Sequence, residues 1–160
     1  MEVVITRAWE AETALPARAL KVTSGKSDPE KQPLSVTVLF TSIEATVAAL
    51  HETHRLASDL CTEFCILMPQ VVPCALPLDR PVVDPAFRVR RLCESIFGCS
   101  CAMHIEVHLC RDLESAVTSA LRPGSLVVIG CRKRWRLGGE RALARSLRRA
   151  GHEVVLIPEE

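Results

Sequence analysis

Short apolar runs and amphipathic stretches alternate along most of the chain. Five runs have the length and apolar character of strands, and four stretches between them repeat apolar residues at steps of three and four, as amphipathic helices do. This alternation predicts an α/β fold: a Rossmann-like, doubly wound sheet of five mainly parallel strands with helices on both faces. The predicted strands are Ser35 to Phe40, Glu63 to Met68, Cys101 to Cys110, Leu126 to Ile129 and Glu153 to Ile157.

Polar residues mark where the predicted helices begin. Thr41 or Ser42 can cap the first helix. Asp84, just before a proline, opens the second helix, and Asp112 caps the third. The expected inner faces are Ile43, Val47, Leu50, His54, Ala57 and Cys61 in the first helix, Val89, Leu92, Cys93, Ile96 and Phe97 in the second, and Leu113, Ala116, Val117, Ala120 and Leu121 in the third; the fourth helix is expected from about Glu140 to Ala150.

Two of the predicted strands differ in their expected exposure to solvent. Cys101 to Cys110 alternates apolar residues with His104, Glu106 and His108, which predicts a strand at a sheet edge with one wet face. Leu126 to Ile129 is apolar throughout, which is typical of a strand buried on both faces of a parallel sheet.

Loops at one edge of such a sheet are where a ligand is expected. Doubly wound sheets bind ligands at the carboxyl ends of their strands, near the point where the strand order reverses. The loops after Phe40, Met68 and Ile129 are therefore the candidate positions. The second of these, Pro69 to Pro85, is rich in proline.

The first 33 residues differ in composition from the rest of the chain. Met1 to Thr6 can form a short strand, whereas Thr23 to Pro33 has the composition of a linker. We therefore predict an N-terminal extension and linker over residues 1–33 and one α/β domain over residues 34–160. Two alternatives stay open for the extension, a strand added to the sheet or a disordered arm.

Composition narrows the class of protein and its compartment. A chain of 160 residues suits one domain, and its eight cysteines alone would also fit a disulfide framework. The N-terminal stretch is too charged for a secretory signal, and prolines interrupt the most apolar stretch, Phe64 to Leu78. We expect a cytoplasmic protein with reduced thiols and no membrane span. An aromatic content of 4% and the lack of a recognisable motif argue against nucleic acid as a partner.

A basic segment follows the fourth predicted strand. Residues 132–149 carry eight positive charges and one negative charge, a sum of +7, so the remaining residues sum to −6 in a chain of net charge +1. Phosphate groups are commonly bound where a strand leads into a helix in this type of fold. The alternatives are a solvated helix face and a surface for a polyanion or an acidic membrane.

One stretch of sequence resembles a known family. The segment RDLESAVTSALRPGSLVVIGCR, a Gly-Gly helix start and the closing strand EVVLIP resemble the universal stress protein family, with a pattern that covers residues 34–158. The resemblance implies the fold above and a stress-related binding or regulatory module. It also implies a small phosphate ligand, ATP or AMP, with no metal beyond a nucleotide-associated Mg²⁺.

The resemblance also implies which residues form the nucleotide pocket. ATP-binding members carry Asp after the first strand and the pattern G-x2-G-x9-G-[ST]; this chain has Thr41 or Ser42 instead of Asp, and Lys133 at the second glycine. Lys133 either replaces a backbone phosphate contact or blocks the site, and Glu140 in place of the closing Ser would repel a phosphate. The implied pocket is therefore degenerate and comprises Thr41, Ser42, Val71 as the backbone contact to adenine, Gly130, Arg132, Lys133, Gly138, Gly139 and Glu140.

Two other groups of residues are candidates for chemistry. Cys131 precedes Arg132, Lys133 and Arg134, and nearby cations would stabilise its thiolate; the alternative is a buried, inert thiol. His104 and His108 lie about 13 Å apart along a strand, too far for one zinc ion, so no metal site is predicted.

The functional hypotheses come from two classes. No Ser-His-Asp order, Walker lysine motif or pair of catalytic carboxylates is present, so no catalytic residue is assigned, and nucleotide hydrolysis is a weak alternative. The leading hypothesis is the ligand-binding module. The second is a protein-interaction domain, either a homodimer paired through the apolar last strand, Val154 to Ile157, or a regulatory domain of a transporter or sensor.

Overall fold

A computed structural model of the chain describes residues 2–7 (backbone only), 35–57, 63–96, 103–131 and 139–159. These residues form six strands and four helices. The strands are β1 (Glu2–Arg7), β2 (Ser35–Leu39), β3 (Glu63–Val71), β4 (Met103–Cys110), β5 (Leu126–Cys131) and β6 (Glu153–Pro158). The helices are α1 (Ile43–Ala57), α2 (Pro85–Ser95), α3 (Leu113–Ala120) and α4 (Gly139–Arg149).

All the strands pair in parallel in one sheet of order β1-β4-β3-β2-β5-β6. Helices α1 and α2 pack on one face, where Leu50 and Leu92 share a core with Ile66. Helices α3 and α4 pack on the other face, where Val117 and Leu147 share a second core. The predicted fold class is confirmed: the sheet is doubly wound, and its order reverses at β2, between β3 and β5.

Strand β1 changes the environment of β4. It pairs along β4 from Glu2, aligned with His104, to Arg7, aligned with Leu109. The prediction that the β4 stretch lies at a sheet edge is therefore wrong, because a strand from the N-terminal extension takes that position. Of the two alternatives left open for the extension, the added strand is present at Glu2–Arg7.

Strand β3 is longer than predicted and includes a proline. Phe40 N donates to Leu67 O, so the backbone N–H and C=O of Leu67 point toward β2. The backbone groups of alternate residues in a strand point to the same side, so those of Pro69 and Val71 also point toward β2. The pairing of β2 with β3 ends at Leu39. Pro69 has no N–H to donate, and the strand tolerates it because β2 has already ended at that level and has no residue paired with it.

Capping residues begin the helices as the sequence predicts. Asp84 accepts a hydrogen bond from Ala86 N at 2.9 Å, and Asp112 accepts one from Ser115 N at 2.7 Å. Leu113, expected to point inward, is instead 39% exposed, one turn ahead of the buried residues of α3. None of the helices in the described ranges is long and apolar enough to cross a membrane.

The buried face of α1 differs from the one expected. His54 is exposed, and Ile43 and Val47 are only half-buried, while Cys61 and the side chain of Ala57 lie outside the described part of the chain. Small side chains line the buried face because they let the helix backbone approach β5 closely. The buried residues are Ala45, Thr46, Ala49, Leu50 and Thr53.

Candidate ligand crevice at the sheet reversal

The carboxyl edge of the sheet has a notch at β2. Leu39, the last residue of β2, is aligned with Leu67 of β3 and with Ile129 of β5. Both neighbours continue past that level, β3 to Val71 and β5 to Cys131. A short strand between two longer ones leaves a crevice at the reversal point, the position where ligands bind in this type of sheet.

Val71 forms one wall of this crevice. The residue is 51% exposed. Its N–H and C=O point toward β2, whereas Val72 faces the other way and donates from its N to Cys110 O on the β4 side at 2.8 Å. The backbone of Val71 therefore presents one donor and one acceptor above the end of β2.

Thr41 and Ser42, the residues expected to replace the family's Asp, have structural roles at the base of the crevice. The Thr41 hydroxyl donates to Gly130 O at 2.8 Å and so ties the end of β5 to the loop after β2. The Ser42 hydroxyl accepts from Ala45 N at 3.2 Å and caps α1. Both hydroxyls are thus held by the protein itself.

Gly130 is required by packing between α1 and β5. A Cβ placed on it would lie 2.0 Å from Ala45 O and 2.5 Å from Ala45 C. The structure shows that glycine here lets β5 approach the first turn of α1, with Ala45 fully buried.

Cys131 ends β5 as a neutral thiol. The residue is 1% exposed, and burial together with the nearby carboxylate of Glu140 raises the pKa of its thiol to about 11, while a backbone hydrogen bond with Ile157 and the charge of Arg141 offset this only in part. Its burial agrees with the inert alternative, whereas the cations that the thiolate hypothesis invoked, at positions 132–134, lie outside the described residues. Glu140 is half-buried in the first turn of α4, which begins at the exposed Gly139.

The remaining predicted pocket residues, Arg132, Lys133 and Gly138, lie outside the described residues. Of the nine predicted positions, the structure brings Thr41 and Gly130 into direct contact. Ser42 adjoins Thr41 in the chain, and Val71 stands across the notch on β3.

Two residues that sequence reasoning missed hold the loop between β3 and α2. Arg111, just after β4, donates from Nη1 to Val72 O at 2.9 Å and from Nη2 to Leu76 O at 2.8 Å. Gln70 is 4% exposed and donates from Nε2 to Val83 O at 2.7 Å. The sequence signal was a cation directly after a strand, facing a proline-rich loop whose carbonyls need donors. The loop that follows Val71 is therefore held by side-chain hydrogen bonds near both of its ends.

A second polar cluster lies on β4. His104 Nε2 is 3.2 Å from Glu106 Oε1, and His108 Nε2 is 3.4 Å from Glu106 Oε2. The hydrogen bond with His108, aided by the charges of both imidazoles, holds the pKa of Glu106 below its usual range despite partial burial. Within the described ranges, no group of three or more His, Cys, Asp and Glu side chains has the geometry to hold a metal ion.

A shallow groove of about 500 Å³ lies between α3 and α4, away from the crevice. The Ser146 hydroxyl donates to the Glu114 carboxylate across it. The hydroxyls of Thr118 and Ser119 donate to backbone carbonyls of α3 itself. Because these three hydroxyls are bonded within the protein, the groove is a weaker candidate for a ligand site than the notch.

Comparison with known proteins shows which solved fold this chain resembles. No protein-family model and no curated protein matches the sequence. A similar solved structure is the crystal structure of a protein from the universal stress protein family of Burkholderia pseudomallei, at 20% identity and a TM-score of 0.50, covering 79% of this chain and 96% of that one. The fold is universal-stress-protein-like. The family resemblance read from the sequence is thus confirmed at the level of fold, and the nucleotide ligand stays a prediction.

Proposed function

We propose that this chain is a universal-stress-protein-like binding or regulatory module that holds a small phosphate ligand, with an adenine nucleotide as the leading candidate, in the crevice above β2. The observation that carries the proposal is the backbone of Val71, whose N–H and C=O face the notch at the sheet reversal. One donor beside one acceptor is the pattern complementary to the N1 and N6 edge of adenine.

The phosphate end of the ligand would meet the basic segment that follows β5. Arg132 and Lys133 directly succeed the last residue of that strand. Guanidinium groups bind phosphate through paired, charge-assisted hydrogen bonds, and ammonium groups bind it as point charges. Glu140 opposes this attraction, so we assign the phosphate contact to side chains of the segment and not to the start of α4.

We assign the module to binding and not to hydrolysis. Thr41 stands where ATP-binding relatives have a carboxylate, and its hydroxyl is bonded to Gly130 O. In the described part of the chain, the end of β2 therefore offers no carboxylate ligand for a nucleotide-associated Mg²⁺. The site suits a ligand that is held and sensed, with ATP or AMP as the compounds to test first.

Titration calorimetry with ATP, AMP, GTP and a cyclic dinucleotide tests this proposal. We expect one site per chain, weakened by reversing two charges in Arg132→Glu with Lys133→Glu. The matched control is Arg145→Glu with Arg149→Glu, which reverses two exposed charges on the outer face of α4. An equal loss in both double variants would indicate unspecific charge attraction. No heat with any of the compounds would refute the ligand proposal.

Val71→Pro tests the adenine contact itself. The substitution removes an N–H that faces the notch and leaves pairing with β4 intact, and Gln70 before it is already extended. We expect the preference for ATP over GTP to disappear while the melting temperature changes little. An unchanged preference for ATP over GTP would indicate that the adenine base does not contact the backbone of Val71.

A second candidate function is self-association through β6. This strand has β5 on one side, and in the described part of the chain nothing pairs with its other side. Val155 at its centre is 43% exposed. An apolar strand with a free edge favours pairing with another strand, and a second copy of the chain supplies one. Sedimentation analysis tests this: a monomer at 100 μM would count against it.

A further inference from the structure

Arginine side chains cover the outer face of α4. The inner face of this helix is buried in the second core. Exposed arginines at four-residue intervals run along its outer face: Arg141, Arg145 and Arg149. At a rise of 1.5 Å per residue, neighbours in this arginine stripe lie about 6 Å apart along the helix axis. The helix therefore presents a regular row of cations to solvent.

The fold uses a different arginine of the same helix. Arg148 donates from Nη2 to Val154 O of β6 at 2.8 Å. Within the stripe, Arg145 donates from Nε to Arg141 O at 3.3 Å, a bond inside the helix. Neither Arg145 nor Arg149 forms an ion pair with a carboxylate of the described residues. The packing of α4 therefore does not account for the stripe.

The stripe is unfavourable for the helix that carries it. Like charges four residues apart repel each other, and the stripe contains two such pairs. Arg141 also lies in the first turn, where the helix dipole disfavours a cation. The acidic residue of that turn, Glu140, is half-buried and lies about 100° around the helix from Arg141. On the surface of α1, by contrast, Arg55 is paired with Glu52 at 2.6 Å. An anionic partner would remove the repulsion along α4.

The geometry of the stripe fits an acidic helix. Carboxylates at four-residue steps of a helix repeat at the same spacing of about 6 Å, and a guanidinium binds a carboxylate through two parallel hydrogen bonds. Ala142 is exposed beside the stripe and is small, which lets a second helix approach to an axis distance of about 8–10 Å. The large exposed apolar residues of the described chain, such as Phe87 and Val155, lie on other elements, so the face of α4 lacks an anchor for a membrane. The low aromatic content argues against nucleic acid.

We propose that the arginine stripe docks an acidic helix of a partner protein, with three carboxylates at four-residue steps opposite Arg141, Arg145 and Arg149. The inference goes beyond the ligand crevice, because the phosphate contact proposed there belongs to the segment before α4. At the usual strength of exposed ion pairs, losing two of the three contacts corresponds to a change of roughly 2- to 30-fold in the dissociation constant.

Fluorescence anisotropy with two model peptides tests the spacing. Both are labelled, alanine-based helical peptides with three glutamates; one carries them at four-residue steps and the other carries them consecutively. In the second peptide the glutamates spread around the helix, so only one can face the stripe at a time. At about 50 mM salt, where surface charges are screened less than at physiological salt, the spaced peptide should bind roughly 2- to 30-fold tighter than the consecutive one.

Two matched double variants test the site. Arg145→Gln with Arg149→Gln removes two charges of the stripe, and glutamine has a helix propensity close to that of arginine. This variant should bind the spaced peptide roughly 2- to 30-fold more weakly, with an unchanged or higher melting temperature because both like-charge pairs are gone. The control, Arg90→Gln with Arg91→Gln, removes two exposed charges from α2 on the opposite face of the sheet and should bind like the wild type.

Each other outcome overturns the proposal. Equal affinities for the two peptides, or equal weakening in both double variants, would indicate unspecific charge attraction. Absence of binding by the spaced peptide would rule out the acidic helix. Phosphatidylserine vesicles and a DNA duplex serve as competing probes: if either binds the wild type more tightly than the spaced peptide does and loses affinity in the stripe variant, the stripe serves that polyanion instead. Nucleotide titration of the stripe variant should match the wild type, so the two proposals fail independently.

Discussion

Gly130→Ala tests whether this glycine serves the fold or the ligand. The added Cβ would lie 2.0 Å from Ala45 O, and real Cβ contacts do not fall below 3.0 Å, so α1 and β5 must separate by at least 1 Å at this point. The obstacle is backbone on both sides, so no change of rotamer relieves it. Overpacking costs about 1–3 kcal/mol in general, and we expect the upper end, about 3 kcal/mol.

The assay is urea and thermal unfolding followed by circular dichroism. For a chain of this size about 3 kcal/mol corresponds to a loss of about 6–12 °C in melting temperature. Gly139→Ala is the control, because a Cβ there meets nothing within 4 Å, and it should stabilise the protein by about 0.4–1 kcal/mol instead of destabilising it. Ala45→Gly added to Gly130→Ala should not restore stability, since the clash is with the carbonyl of residue 45 and not with its side chain.

The refuting result is equally specific. If Gly130 serves to let backbone approach a ligand, Gly130→Ala should unfold like the wild type and lose affinity for the nucleotide. A melting temperature within about 1 °C of the wild type would therefore refute the packing argument.

Three further predictions follow from the groups around the sheet. Iodoacetamide at pH 8 should label the exposed Cys74 and leave Cys131 unmodified until the protein unfolds, because Cys131 is buried with a pKa of about 11; mass spectrometry reads this out, and early labelling of Cys131 would contradict it. The carboxyl group of Glu106 has a lower pKa in the folded protein than in the unfolded chain. Its contribution to stability is therefore fully present above the pKa of the unfolded chain and is lost as the pH falls through the pKa of the folded protein. Between pH 6 and 3 the urea midpoint of the wild type should therefore fall more than that of Glu106→Gln, and parallel curves would argue against the imidazole contacts. Arg111→Met should free the carbonyls of the loop after β3, with limited proteolysis cutting that loop faster and a cost of about 1–2 kcal/mol; an unchanged digestion pattern would show that the loop is held by other contacts.

Local sequence signals gave the candidate site only in part. The positions Thr41, Ser42 and Gly130 come from a motif, and the structure does bring Thr41 and Gly130 together. Each also has a structural contact, the two hydroxyls through hydrogen bonds and Gly130 through its packing against α1, and their part in a ligand site stays a prediction. The sequence does place a cation, Arg111, directly after a strand. The carbonyls that Arg111 and Gln70 contact lie elsewhere in the chain, so the contacts themselves depend on how the loop after β3 folds back.

The sequence by itself determined the order and type of the predicted elements, the caps at Asp84 and Asp112, the burial of β5 and the uneven distribution of charge. These features depend on neighbours within a few residues, where periodicity and capping chemistry act. The tertiary structure alone decided that β1 covers β4, that α1 turns its small residues toward Gly130, and that Arg148 reaches the edge of β6. Strand order and close backbone approach join residues far apart in the chain, so they are set by how the elements pack and not by the pattern within any one of them.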